Sequence, residues 1–106
     1  MHRIRLGPPW EVATEEGRTR HIRKIGRPRT LDPNEQVWLV FESLPANVTV
    51  TLNGTELGVA GGAWAIEVTA LLQPRNEIVV LGPSELPLGE VALEIRSGAA
   101  EFAPAQ

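Results

Sequence analysis

The stretch that decides the fold is "NVTVTLNGTELG", residues 47–58. Its first half alternates valine and leucine with threonine and asparagine, which is the period of a strand buried on one face. Asn53-Gly54 then breaks the alternation with two residues that tolerate the positive φ angles of a tight primed turn. The stretch therefore predicts an antiparallel β-hairpin.

Just upstream, "QVWLVFESL" (residues 36–44) is the most hydrophobic segment of the chain. It predicts a strand that is apolar on both faces and is therefore covered on both sides. Trp38 would then meet either a covering segment or a second chain. The two expected faces are Val37, Leu39 and Phe41 on one side, and Trp38, Val40 and Leu44 on the other.

Period-two alternation continues through most of the chain, and no window keeps the 3.6-residue spacing of an amphipathic helix. We expect segment 11–17 to be a loop, Gly61-Gly62 a turn, and Thr69 the cap of a short helical turn. Eight short strands with Gly/Pro punctuation predict an all-β fold, a jelly-roll β-sandwich of about eight antiparallel strands. Besides the segments above, strands are expected at residues 3–6, 18–25 (polar, suited to a sheet edge), 63–68, 77–82 and 90–97.

The chain has 106 residues, the size of one domain with one core. The sequence indicates a single domain over residues 1–96 and a frayed tail over 97–106. No segment looks like a secretory signal or is long enough to cross a bilayer, so a cytoplasmic location without a membrane partner is expected. The absence of cysteine excludes disulfides, thiol catalysis and Cys-ligated zinc.

Charge is distributed unevenly along the chain. Residues 1–30 carry eight of the ten Lys/Arg against three acids, and the remainder carries two basic residues against ten acids. One interpretation is a basic arm that binds an acidic polymer such as nucleic acid. The other, which the sequence favours, is that basic strands pair with acidic ones across the sheet. No aromatic residue is interleaved with the arginines to stack on bases, so nucleic acid is not the expected partner.

Catalytic signatures are absent from the sequence. The serines lie in no nucleophile elbow, and only His2 and His21 could act as a base. Two separated histidines do not predict a transition-metal site, and His21 is expected on a strand surface. We therefore expect no enzyme activity, no cofactor and no metal centre, with calcium left open because loop carbonyls leave no sequence trace.

The three tryptophans are candidate ligand or interface residues, because sugar rings can stack on aromatic planes. Core packing is the alternative reading of each. Trp64 shares its expected face with Ile66 and Val68, which favours burial. Trp10 follows two prolines and is the one more expected to be exposed.

Residues 36–81 resemble the jelly-roll, sugar-binding domain of glycoside hydrolase family 2, which has the galactose-binding-like fold. Upstream, residues 23–28 echo the family's "RTFxLP", which makes Arg23 a further candidate ligand or interface residue. The pieces that carry the resemblance follow in the family's order: "VWLVFESL" (37–44), "VTVTLNGTELG" (48–58), Gly61-Gly62, "EVTALL" (67–72) and "NEIVV" (76–80).

The resemblance implies a fold more than a function. In the complete family enzymes the catalytic carboxylates lie in a separate barrel, which these residues do not include. The family's jelly roll also contributes a long aromatic- and acid-bearing segment after the strand equivalent to 78–80, where this chain has only "GPSELPLG". The resemblance thus argues against hydrolysis and weakens the expectation of sugar binding.

Three hypotheses for the function follow. The first is a non-catalytic module for protein interaction or oligomerisation, supported by the two-sided apolar strand and by exposed sheet edges. The second is a carbohydrate-binding module related to glycoside hydrolase accessory domains, with Trp10 and Trp64 stacking on a sugar. The third is binding of an acidic polymer through the arginine-rich first 30 residues.

Overall fold

The structure is a computed structural model that describes residues 2–7, 10–28, 31–83 and 89–97. Residues 98–106, most of the expected tail, lie outside this range. Every strand pairing within it is antiparallel. The elements are β1 (His2–Arg5), β2 (Glu11–Glu15), β3 (Arg18–Gly26), β4 (Glu35–Leu52), β5 (Thr55–Glu67), a 3₁₀ turn (Thr69–Leu71), β6 (Arg75–Gly82) and β7 (Val91–Ser97).

The sheet curls into two layers because β4 passes through both. Residues 35–41 of β4 pair with β7, whereas residues 49–52 pair with β6. β5 follows β4 along its other edge from one layer into the other. One layer therefore contains β1, β7 and the first half of β4, and the other contains β2, β3, β6 and the second half. With the halves of β4 counted separately, the described residues form eight strands, which confirms the expected all-β sandwich.

The core lies between the two layers. Alternation places every second residue of the central strands on the inner face, and each of these side chains is at most 3% exposed. Burying one such side chain contributes about 1.5–3 kcal/mol to folding. The inward residues are Val37, Leu39, Phe41, Val48, Val50, Leu52, Ile78, Val80, Val91, Leu93 and Ile95.

The hairpin turn forms where the sequence predicts it. Asn53 and Gly54 have φ angles of 52° and 82°, as a primed turn requires. The Asn53 side chain also ties the turn to β6: its Nδ2 donates to Asn76 Oδ1 (2.9 Å), and its Oδ1 accepts from the backbone N–H of Glu77 (2.9 Å). A third bond joins Nδ2 to the Leu71 carbonyl (3.2 Å), so this asparagine fixes the β4–β5 hairpin against the rest of the second layer.

Three predictions about strands and turns are wrong. Segment 11–17 contains a strand, β2, whose five residues are all exposed, so no burial pattern marks it in the sequence. Since β2 pairs with β3, the polar strand β3 lies inside the sheet between β2 and β6 and is not an edge. Gly61-Gly62 is not a turn either, because β5 runs through it, and the positive φ of Gly62 (68°) accompanies register shifts along the β4–β5 pair.

Three side chains also differ from expectation. Leu44 is in the core (5% exposed) because an irregularity after Phe41 shifts the alternation by one face. Thr69 does not cap the 3₁₀ turn; its hydroxyl accepts from the backbone N–H of Val37 (2.8 Å). His21 is buried (9% exposed), since it pairs with Val80 on the inner face of β3.

Candidate interaction surfaces

The four candidate residues do not converge on one site. Trp38 lies on the outer face of the first layer, and Trp64 lies on the inner face of the neighbouring strand β5, in register with Phe41. Trp10 and Arg23 lie near each other at an open end of the sandwich, where they bind the carbonyls of Leu6 and Gly7 respectively. Three separate surfaces therefore have to be considered.

Trp38 is covered by a side chain of its own sheet. The guanidinium carbon of Arg96 on β7 lies 4.5 Å from the centroid of the indole ring. The indole N–H donates to Gln36 Oε1 at 3.2 Å. A cation over an aromatic face contributes about 0.5–1 kcal/mol or more. Arg96 therefore covers one face of the Trp38 ring, and that face is not open for a sugar.

The Arg96 side chain also belongs to a network of ion pairs on this outer face. Glu94 is only 5% exposed and accepts hydrogen bonds from Arg96 Nη2 (2.8 Å) and Arg3 Nη1 (2.5 Å). The hydrogen bond from Arg96, followed by that from Arg3, lowers the pKa of Glu94 against the opposing effect of burial. Arg3 further binds Glu42 at 2.9 Å, and Arg5 binds Glu90 at 3.0 Å.

This network bears on the uneven charge of the sequence. Arg3 and Arg5 belong to the basic first 30 residues, and their partners belong to the acidic remainder. Arg20 also lies 3.6 Å from Glu15, although both of these residues belong to the first 30. These contacts favour the interpretation that basic and acidic strands pair across the sheet.

A different surface lies along β5, where residues 57–66 form what we call the β5 margin. Among the described residues, β5 pairs with β4 alone, so its other edge faces outward. The ten residues of the margin include no charged side chain, and Val59 is 67% exposed. Edge strands are usually protected by charged residues or proline, and the β5 margin has neither.

Trp64 forms one wall of a shallow basin beside this margin. The basin measures about 590 Å³, and Val40, Ala63 and Ala65 also line it. The indole is half-buried and packs against Phe41, with ring centroids 6.0 Å apart and planes inclined by 32°. Core packing of Trp64 agrees with expectation, and the residue is also one of those that line the basin.

Trp10 is half-buried rather than exposed. It packs against the core, and its indole N–H donates to the Leu6 carbonyl at 3.1 Å. Arg23 is also turned inward, because it pairs with buried Ile78 on the inner face of β3. Its Nε donates to the Gly7 carbonyl at 3.2 Å, so it ties the end of β1 to the second layer.

Neither a metal cluster nor a membrane helix appears in the described part of the chain. No three His, Asp or Glu side chains there lie close enough together to hold a metal ion. No helix in the same residues has the length and hydrophobicity needed to cross a membrane.

No family model and no curated protein matches this sequence. Solved structures do match its fold. The FMN-binding β-glucuronidase from Facaelibacterium prausnitzii L2-6 superposes with a TM-score of 0.73 at 14% identity, over 87% of this chain and 22% of that chain. A β-glycosidase from Bacteroides vulgatus gives 0.62 at 23% identity, over 76% of this chain and 12% of that chain.

A third match is the Bifidobacterium dentium β-glucuronidase complexed with coumarin-3-O-glucuronide, with a TM-score of 0.55 at 25% identity. It covers 64% of this chain and 12% of that chain. The present chain therefore spans between an eighth and a quarter of the length of these proteins. Its fold is that of a part of such glycosidases, in agreement with the fold that the sequence resemblance implied.

Proposed function

We propose that this chain is a non-catalytic assembly module that binds a second protein chain through the β5 margin. The uncharged outward edge of residues 57–66 is the observation that supports this proposal most directly. An unpaired strand edge presents a row of N–H and C=O groups that another strand can complete. The exposed Val59 side chain adds apolar surface that such a contact would bury.

The simplest partner is a second copy of the chain. Two β5 edges related by a twofold axis would pair antiparallel, and each would bring the same residues to the contact. The solved matches support the modular part of the proposal, since this fold forms a fraction of longer glycosidase chains. The same structural matches and the sequence resemblance of residues 36–81 support a further part of the proposal. The chain is related to the sugar-binding-like accessory domains of glycoside hydrolase family 2.

The test compares two exposed valines at two edges of the sheet. Val59 on β5 is 67% exposed and Val12 on β2 is 56% exposed. We expect light scattering at micromolar concentration to show a dimer for the native chain and for Val12→Lys, and a monomer for Val59→Lys. Both variants should keep the native far-ultraviolet circular dichroism spectrum, which separates loss of contact from loss of fold.

A native chain that stays monomeric at protein concentrations up to about 1 mM would contradict the proposal. At that concentration even a dimer with a binding free energy of about −4 kcal/mol would be present in substantial amount. Equal effects of Val12→Lys and Val59→Lys would contradict the choice of surface.

Carbohydrate binding is the second candidate, and Trp64 is the residue that favours it. Trp64 lines a basin, whereas Trp38 has Arg96 against one face of its ring. A sugar that stacks on Trp64 should change its fluorescence, and Trp64→Leu should remove the change while Trp38→Leu keeps it. No response across a broad panel of glycosides would exclude this candidate.

A further inference from the structure

We infer that the open end of the sandwich between β1 and β3 binds a small organic anion with an apolar body. A cavity of about 430 Å³ lies at this end, and we call it the end cavity. Ligand sites in proteins commonly measure about 300–1,000 Å³, so its size suits a small molecule. It is separate from the β5 margin, with which it shares no residue.

Part of the end cavity is apolar. Leu6 and Leu93 are buried (6% and 3% exposed), and half-buried Ile4 and Ile25 lie beside them. These four side chains come from β1, the segment after it, β7 and β3, so both layers contribute to the surface. An aliphatic or aromatic group placed here would gain about 25 cal/mol for each Å² of apolar surface removed from water.

The remaining side chains of the end cavity are basic. Among the residues that the structure describes, four cationic side chains and no acidic one line it. Arg5 is already paired with Glu90 outside the cavity, at 3.0 Å. Arg23, with Arg27 and Lys24 near it, therefore supplies the positive charge available to a ligand.

Arg23 is the residue that makes the site selective. It lies on the inner face of β3 between buried His21 and half-buried Ile25, and it lines the end cavity. Hydrogen bonds to the carbonyls of Gly7 (3.2 Å) and Lys24 (3.1 Å) hold it in place and use two of its five N–H donors. A fixed guanidinium binds a carboxylate or sulfate through paired, charge-assisted hydrogen bonds.

A reporter group lies next to the end cavity. The indole N–H of Trp10 donates to the carbonyl of Leu6, which lines the cavity. The indole N–H of Trp38 lies on the outer face of the first layer and bonds to Gln36. In an NMR spectrum of nitrogen-15-labelled protein, the Trp10 resonance should therefore respond to a ligand in the cavity while the Trp38 resonance stays in place.

The experiment titrates the labelled protein with hexanoate and, separately, with 1-hexanol, which has the same apolar body without the charge. We expect hexanoate to shift the Trp10 indole resonance and to saturate. Hexanol should bind at least about tenfold more weakly, because a hydrogen bond to a charged group contributes about 1.5–3 kcal/mol. Equal affinities, or a Trp10 resonance that hexanoate leaves unmoved, would overturn the inference.

Variants of two arginines on β3 then locate the site. Arg23→Gln should weaken hexanoate binding about tenfold or more, and Arg23→Lys should recover part of it. Arg18→Gln is the control, because Arg18 is exposed at the other end of the same strand. An equal loss in Arg18→Gln would show general charge attraction and would overturn the inference.

Arg23 also bonds to the Gly7 carbonyl, so its replacement can weaken the fold. If Arg23→Gln does not fold, Arg27→Gln takes its place, since Arg27 is exposed and lines the cavity. We then expect hexanoate to bind about threefold more weakly and hexanol binding to stay the same. Unchanged hexanoate affinity in that variant would count against the site.

Discussion

The strands β2 and β5 lie at different edges of one sheet, and their edges differ in length and chemistry. β2 has five residues, begins and ends with glutamate, and lies beside the arginine-rich β3. β5 has thirteen residues, and its central ten include no charge. Each edge presents one well-exposed valine, Val12 or Val59, so the exposure of a single apolar side chain does not distinguish them.

The comparison shows that the two edges differ in their protection against pairing with a strand of another chain. A short strand with charged ends and a charged neighbour discourages the addition of another strand, because pairing would bring like charges together or leave charges without water. A long uncharged strand lacks that protection. The β5 edge is therefore the one at which we expect a partner, and the predictions below test what holds each edge in place.

The largest effect is expected at the turn that anchors β5. Asn53→Ala removes three hydrogen bonds and places alanine at a φ of 52°. We expect the free energy of unfolding to fall by about 3 kcal/mol in urea denaturation. Asn47→Ala is the matched control, since exposed Asn47 has a φ of 60°. It should lose only about 1 kcal/mol, and equal losses would mean that the side-chain bonds of Asn53 contribute nothing.

A smaller effect is expected when each edge strand loses its main apolar side chain. Trp64→Ala should lower the free energy of unfolding by about 2 kcal/mol, less than the 3–5 kcal/mol of a fully buried tryptophan, because the ring is half-buried against Phe41. Val12→Ala on β2 should change it by less than about 0.5 kcal/mol. Thermal and urea unfolding measure both variants. Similar losses would show that β2 packs on the core as firmly as β5 does.

The smallest effect concerns ion pairs and extends the comparison to β1, a third edge strand. The pKa of Glu94 is lowered from its ordinary value of 4.5. The hydrogen bond from Arg96 is the largest cause, and the hydrogen bond from Arg3 also lowers the pKa, whereas burial raises it. A carboxyl group with a lowered pKa binds fewer protons in the folded state, so its contribution is complete above pH 4.5 and is lost as the pH falls through the folded pKa.

Glu94→Gln should therefore lower the stability at pH 7 and flatten its decline below pH 4.5. The measurement is the free energy of unfolding at a series of pH values. Glu15→Gln on β2 is the control, because its carboxylate lies 3.6 Å from Arg20 and is largely exposed. It should change the stability by less than about 0.5 kcal/mol. An unchanged pH profile in Glu94→Gln would contradict the role of the network.

The sequence predicts the parts of this fold in which one face is buried. The strands around Val50 and Val80 follow from alternation alone, and the hairpin follows from Asn53-Gly54. It does not predict β2, because a strand whose five residues are all exposed has no apolar pattern. It also misplaces Leu44, because an irregularity in pairing reverses the face without any signal in the residue types.

The candidate surfaces were less predictable than the strands. The contact of Trp38 with Arg96 joins residues that are far apart in sequence, and it depends on the pairing of β4 with β7. The inward position of Arg23 depends on its register with β6. One signal was available: the ten uncharged residues from 57 to 66 stand out in a chain of which 22% is charged. Gly61-Gly62 within this segment instead predicts two strands separated by a turn.

The passage of β4 and β5 through both layers has a consequence for how the molecule comes apart. Each layer shares a continuous piece of backbone with the other, so neither can separate as an intact sheet while its partner remains folded. Unfolding should therefore be a single cooperative transition, and amide protons of Leu39 and Val50 should exchange with deuterium at the same, global rate. The hairpin end of β4 and β5, residues 49–59, is built from contacts that are close in sequence, and we expect folding to start there.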